Sequence, residues 1–299
     1  MAGRYWEIIV VFKGSMVALV TPFANGEVDY KTLDALVDLH IAAGTDVLVP
    51  CGTTGESPTL THTENDQVVA AVIKRAKGKI PVMAGTGSNS TAEAVEMTRN
   101  AKRNGANGAL LVVPYYNKPT QEGLYRHFKT IADAVDFPQV LYNIPGRCGI
   151  EMSVDTICRL RSDCKNIVGV KHATGSMDGA SELLSRCEIE LYSGDDSMTL
   201  PLMSIGGVGV VSVLANIVPK DVKALCDAAL RGDWKTAQQW HHKMFKLAKG
   251  LLSIEVNPIP IKTAMAMRGM LQDDFRLPLC SMAPANREKL DATLKEYGI

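Results

Sequence analysis

Short, nearly continuous apolar runs rich in β-branched residues alternate with longer amphipathic stretches along almost the whole chain. Eight such runs stand out, at residues 16–21, 46–51, 81–85, 108–113, 139–143, 167–171, 190–193 and 207–211. Their near-continuous hydrophobicity predicts parallel strands buried on both faces. The stretches between them carry helical spacing and helical punctuation. Leu33, Leu36, Val37 and Ile41 recur at three- and four-residue steps behind Asp29, a side chain suited to capping a helix N-terminus. Thr61 with Glu64, and Ser90 with Glu93, match the capping-box pattern, while Gly44 and Gly105 stand where helices should stop. Alternation of this kind predicts right-handed crossovers and a parallel sheet.

Eight units close naturally into a (β/α)8 TIM barrel, an α/β fold. A doubly wound sheet usually has fewer strands and a nucleotide fingerprint. Here Gly85-Thr86-Gly87 lacks the third glycine, and Gly206-Gly207-Val208-Gly209 has no Lys-Ser/Thr after it, so both read as tight turns beside strands. Beyond the eighth run the pattern stays helical, at about residues 220–230, 234–252, 260–270 and 286–297. The expected organisation is a barrel over residues 12–230 and a C-terminal helical appendage of the same domain over 231–299. Residues 1–11 are an extension of doubtful status.

Composition narrows the field mainly by exclusion. Lys plus Arg and Asp plus Glu both total 32 in 299 residues, which gives no electrostatic footprint for DNA, RNA or an anionic membrane. No apolar run reaches the length a bilayer needs. The stretch Ile8-Ile9-Val10-Val11-Phe12 is too short for a signal core, has Glu7 beside it and lacks a following small-residue cleavage site. Seven cysteines without a Cys-x-x-Cys pair suggest neither a disulfide framework nor a zinc cluster, and reduced thiols fit the cytoplasm. No His or carboxylate cluster has ligand spacing, so neither a metal nor another cofactor is expected. Asp195-Asp196 reads as helix capping, and His241-His242 as a solvated pair on a polar helix face.

In a barrel, polar residues at the carboxyl ends of the strands are the default candidates for chemistry. Lys171 closes the apolar run Ile167-Val168-Gly169-Val170, which would set its ammonium beside low-dielectric walls. Desolvation there lowers the lysine pKa and exposes the lone pair needed to attack a ketone. A lysine merely snorkelling to the rim is the competing reading. Tyr142, Tyr116 and the pair Thr53-Thr54 fall at neighbouring strand ends, where linked hydroxyls can relay protons. The Gly-bracketed turn around Thr53-Thr54 also offers backbone N–H groups to a carboxylate, and Arg147, just past Pro145-Gly146, can grip a second one bidentately.

The motifs Gly52-Thr53-Thr54-Gly55-Glu56, Tyr142-Asn143-Ile144-Pro145 and Gly169-Val170-Lys171-His172-Ala173-Thr174-Gly175 resemble the dihydrodipicolinate synthase and N-acetylneuraminate lyase family of pyruvate aldolases. The resemblance runs from about Phe12 to the C-terminus. It implies a barrel with C-terminal helices, a lysine Schiff base with pyruvate, and a homotetramer built from two tight dimers. Within the family it is closest to the branch that condenses pyruvate with L-aspartate 4-semialdehyde in lysine and diaminopimelate synthesis. Arg147, the loop Pro114-Tyr115-Tyr116-Asn117-Lys118-Pro119 and the segment Asn257-Pro258-Ile259-Pro260-Ile261-Lys262 carry that finer match.

By motif position the resemblance implies Lys171 as the Schiff-base nucleophile and Tyr142 as proton donor and acceptor. Thr53 and Tyr116 would complete the hydroxyl relay, Thr54 and the main chain at Val211 would bind pyruvate, and Arg147 would hold the semialdehyde carboxylate. Adjacent Tyr115 and Tyr116 cannot both enter one mouth, because successive side chains diverge. The resemblance implies that Tyr116 acts across the dimer interface. Ser57, His62, Ser88, Asn89, Glu93 and Tyr115 match the site where L-lysine inhibits bacterial members, and Asn65 replaces a histidine that some inhibited members carry. His172 stands where many members carry Glu or Asp after the lysine, which leaves the charge of the mouth open. Val11-Phe12-Lys13-Gly14-Ser15 stands where members begin Met-Phe-x-Gly-Ser, so residues 1–10 read as a start-site artefact. Two alternatives compete: a sister aldolase for 2-keto-3-deoxygluconate or 4-hydroxy-2-oxoglutarate, and a non-catalytic barrel binding a small acid.

Overall fold

Eight parallel strands form a closed ring in the computed structural model, which describes residues 12–299. The expected extension over residues 1–11, and the start expected at Val11, lie outside the described residues. The strands are β1 Gly14–Ala18, β2 Val47–Val49, β3 Met83–Gly85, β4 Gly108–Val112, β5 Gln139–Asn143, β6 Ile167–His172, β7 Glu190–Ser193 and β8 Gly209–Ser212. They pair in the order β2-β1-β8-β7-β6-β5-β4-β3. A parallel bridge between Leu48 and Val82 closes the ring, flanked by the Leu48 N–H on the Pro81 carbonyl and the Gly85 N–H on the Pro50 carbonyl, both at 2.9 Å.

Helices α1 Tyr30–Ala43, α2 His62–Ala76, α3 Thr91–Asn104, α4 Gln121–Ala134, α5 Val154–Asp163, α6 Met177–Arg186, α7 Thr199–Ser204 and α8 Pro219–Leu230 return the chain between strands and cover the last one. The expected punctuation is present with one exception. Asp29 accepts from the Thr32 N–H at 3.0 Å, and Thr61 with Glu64 forms a complete capping box. At α3 only half a box forms. Ser90 accepts from the Glu93 N–H, but the Glu93 carboxylate takes the Ser88 hydroxyl at 2.7 Å instead of returning to the cap.

Strand boundaries shift where side chains claim the backbone. The first strand is Gly14–Ala18 and not 16–21, because the Val20 N–H turns to the Asn216 side-chain oxygen at 3.2 Å. At the last strand the Gly207 N–H returns to the Leu202 carbonyl, which delays regular pairing to Gly209. Periodicity also missed an antiparallel pair, Phe23–Ala24 with Glu27–Val28. Asn25-Gly26 makes its two-residue turn with both φ values positive, a signal present in the sequence.

The barrel interior is filled by Met16, Val47, Val49, Met83, Leu110, Val140, Tyr142, Tyr192 and Val211. Tyr192 spans it only because residue 169 is glycine: a Cβ there would lie 2.5 Å from the tyrosine ring. A second, larger core lies between the strands and the helices. Three more helices follow, α9 Trp234–Ser253, α10 Ile259–Met267 and α11 Pro284–Tyr297.

The start of α10 reaches back to the barrel mouth. Lys262 pairs with Glu56, both side chains fully buried, and its ammonium also donates to the Asp274 carbonyl at 2.8 Å. Phe23 and Phe275 flank that ammonium, 4.4 and 4.7 Å from ring centroid to Nζ. Beside it, Arg276 grips Glu64 with two donors, at 2.9 and 2.6 Å, and binds the Thr59 and Gly26 carbonyls. Among the described residues no helix is long and apolar enough to cross a membrane.

Candidate active site

Register sets the centre of the site. Tyr142 on β5 lies opposite Lys171 on β6, so both side chains enter the barrel mouth side by side. Lys171 is 5% exposed, with Nζ 4.1 Å from the Tyr142 ring centroid. Room for its stem comes from Gly194 after β7, where a Cβ would sit 3.1 Å from the lysine Cε. Burial lowers the Lys171 pKa to about 7; the Asp196 charge holds it up in part, and the Arg147 charge pushes it further down. Near neutrality a large fraction of this amine is therefore unprotonated and nucleophilic.

Asp195 and Asp196 both cap, as expected, but on different elements. Asp195 accepts from the Ser197 N–H at 2.9 Å at the start of the turn Asp196–Met198. Asp196 accepts from the Ser212 hydroxyl at the end of β8 and from the Val213 and Leu214 N–H groups just beyond it, each of these two at 3.0 Å. Burial raises its pKa to about 6, against the lowering by those hydrogen bonds. Its electrostatic hold on Lys171 was missed in the sequence, since the donors that position it lie 16 to 18 residues away.

Tyr142 is pushed up to about 12 by burial, offset in part by the Arg147 charge and by hydrogen bonding to Thr53. Its hydroxyl thus keeps its proton at neutral pH and lies within the influence of a second hydroxyl, that of Thr53. Thr53 and Thr54 sit in a turn whose Gly55, Glu56 and Ser57 N–H groups are consumed internally, by the Gly52 and Thr53 carbonyls. The N–H groups of Thr53 and Thr54 have no backbone partner among the described residues. Thr54 is buried and its Oγ1 accepts from Asn257 Nδ2 at 3.1 Å. Val211 lies buried on β8, in the same interior layer. Arg147, on the single turn Pro145–Cys148 after β5, donates from Nη2 to the Asn257 carbonyl at 2.8 Å.

Tyr116 is not in this mouth. It stands on the loop after β4, 88% exposed and with φ of +72°, beside the less exposed Tyr115. Ser57, His62, Ser88, Glu93 and Tyr115 line one cavity of about 320 Å³ together with Thr53 and Arg147. His62 Nε2 lies 3.8 Å from the Glu93 carboxylate. Asn65 contributes to the wall with its buried Nδ2 unpartnered. Asn89 is not in the lining; it ties the loop down, donating to the Tyr115 carbonyl at 3.2 Å. His172 does not face the mouth. It follows Lys171 on the strand and so points to the opposite face, where its Nε2 lies 2.9 Å from both the Ser176 carbonyl and the Thr174 hydroxyl. No group of three potential metal ligands occurs among the described residues.

Comparison with known proteins gives one consistent picture. The profile of the Dihydrodipicolinate synthetase family matches residues 11–297. The 4-hydroxy-tetrahydrodipicolinate synthase of Geotalea uraniireducens is 54% identical over 291 residues, which cover 97% of this chain and 100% of that relative. The chloride-inhibited dihydrodipicolinate synthase of Acinetobacter baumannii, solved with pyruvate, superposes with a TM-score of 0.94 at 46% identity, covering 97% of this chain and 100% of that one. The lysine-bound enzyme of Cyanidioschyzon merolae superposes with a TM-score of 0.93 at 39% identity, covering 96% and 98%.

The electrostatics of the mouth can be read by competitive acylation. Labelling of Lys171 by acetic anhydride, followed by mass spectrometry across pH, is expected to titrate with a midpoint of about 7. Asp196→Asn removes the charge that holds the ammonium in place, so the midpoint should fall. A midpoint near that of an ordinary lysine, or a rise in the Asp196→Asn variant, contradicts this assignment.

Proposed function

The chain belongs to the dihydrodipicolinate synthetase family, and we propose that it is a 4-hydroxy-tetrahydrodipicolinate synthase, a lyase of lysine and diaminopimelate biosynthesis. It condenses pyruvate, held as a Schiff base on Lys171, with L-aspartate 4-semialdehyde. The observation that carries this reading is a desolvated lysine, its pKa lowered to about 7, beside a tyrosine that keeps its proton.

The neutral Lys171 amine adds to the keto carbon of pyruvate. Tyr142 donates its proton to the carbinolamine oxygen, water leaves, and the protonated imine becomes the electron sink. Loss of a methyl proton through the Tyr142–Thr53 relay gives an enamine, whose terminal carbon attacks the aldehyde. The amino group of the semialdehyde then adds to the imine carbon, closes the ring and releases Lys171. Thr54 and the main chain at Val211 hold the pyruvate carboxylate. Arg147 holds the carboxylate of the semialdehyde, which separates this reading from the sister aldolases for 2-keto-3-deoxygluconate or 4-hydroxy-2-oxoglutarate. A non-catalytic barrel has no use for an unpaired buried lysine.

The cavity holding Ser57, His62, Ser88, Glu93 and Tyr115 takes L-lysine, with Glu93 on its amino group and Asn89 acting through the Tyr115 loop. The lysine-bound relative supports this. The exposed Tyr116 completes the relay of a neighbouring subunit in a dimer, and two such dimers make a homotetramer. The enzyme works in the cytoplasm, where its thiols stay reduced.

An assay of semialdehyde consumption tests the reading. The wild-type chain should turn over pyruvate with L-aspartate 4-semialdehyde and slow when L-lysine is added. Arg147→Ala should cut kcat/KM for the semialdehyde by about a hundredfold or more while sparing the KM for pyruvate. Preference for a different aldehyde would overturn the substrate assignment, and indifference to L-lysine would remove the inhibitor site.

Subunit exchange tests the role of Tyr116. Mixing inactive Tyr116→Phe and Lys171→Ala proteins should restore activity, because each mixed dimer then holds one site with both wild-type groups. Verified mixed dimers without recovered activity would leave Tyr116 as an interface residue only.

A further inference from the structure

We propose that Asn257, on the loop between α9 and α10, is a positioning residue that holds both carboxylate-binding groups of the site at once. The inference rests on the roles given above to Thr54 and Arg147.

Asn257 belongs to the C-terminal segment, not to a barrel strand, yet it is only 9% exposed. Its side-chain Nδ2 donates to the Thr54 hydroxyl at 3.1 Å, and its main-chain carbonyl accepts from Arg147 Nη2 at 2.8 Å. One residue therefore touches the grip after β2 and the grip after β5. The consequences for the two differ. Thr54 spends an oxygen lone pair on the amide donor, so its own hydrogen turns away from Asn257 and is free to donate to a substrate carboxylate. Arg147 spends one of five donors, which fixes the plane of its guanidinium and leaves the others to form a fork.

The loop is held firmly enough to act as a reference. The Ile259 N–H binds the Val256 carbonyl at 2.9 Å, and the Lys262 N–H binds the Pro258 carbonyl at 3.0 Å. Lys262 is paired with Glu56, two residues beyond Thr54 in the same turn. Segments 257–262 and 54–56 are thus clamped at both ends. The Asn257 Oδ1 is buried without a partner among the described residues, a cost that a small apolar side chain would avoid. An asparagine kept for packing alone gains nothing from that arrangement.

Steady-state kinetics of Asn257→Ala and Asn257→Asp test the proposal. Alanine keeps the carbonyl that holds Arg147 and removes the amide that holds Thr54. It should raise the KM for pyruvate by roughly tenfold and leave the KM for the semialdehyde within about twofold. Aspartate matches asparagine in shape, but it only accepts hydrogen bonds, so it turns the Thr54 proton inward and sets a negative charge beside the pyruvate carboxylate. It should therefore be more damaging than alanine, the reverse of what a packing role produces. In a Thr54→Val background the alanine effect should vanish, as expected of directly coupled residues. Equal rises in both KM values, an aspartate variant milder than alanine, or additive losses in the double variant would each overturn the positioning role. A wild-type chain that fails to turn over the two substrates would instead overturn the function proposed above.

Discussion

The structure is organised around an amine taken out of water with no paired carboxylate among the described residues. An ammonium in that position is costly, and the group responds by shifting its pKa down to about 7. Several features keep it from finding an easier solution. Gly194 gives the lysine stem room to stay inside the mouth, and Gly169 lets Tyr192 fill the barrel below. Asp196, whose charge holds the lysine pKa up in part, is tied to two backbone N–H groups and the Ser212 hydroxyl. It acts on Lys171 through space and does not collapse onto it. The carboxylate itself is raised to about 6. As pH falls through that value its charge is lost, and with it the field that favours the ammonium.

A site of this kind needs walls that do not relax, and the C-terminal helices supply part of them. The Glu56–Lys262 pair is fully buried, and removing one partner of such a pair strands a charge, typically at a cost of about 3–5 kcal/mol. Arg276 adds a second clasp on Glu64 and on the Thr59 and Gly26 carbonyls. Both clasps act on the turn and helix start around Thr53 and Thr54. The appendage is in this sense part of the mouth and not an addition to its outside.

Much of this was legible in the sequence because its causes are local. Apolar runs with little alternation marked doubly covered strands, and Asp29, Thr61 and Gly44 marked helix ends through contacts within a few residues. Lys171 was conspicuous as a charge closing an apolar run. What stayed hidden depends on partners distant in the chain. Asp196 meets donors beyond the next strand, and Glu56 meets Lys262 some 200 residues later. No periodicity reports such pairings. The effect of His172, left open by the sequence, is settled by strand alternation, which sends it to the face opposite Lys171.

Covalent trapping at the buried amine tests the role of Lys171 most directly. The chain should be incubated with pyruvate and borohydride, digested, and mapped by mass spectrometry. One reduced pyruvyl group is expected, carried by Lys171 and lost in Lys171→Ala. Label on any other lysine, or none on an active preparation, would contradict it.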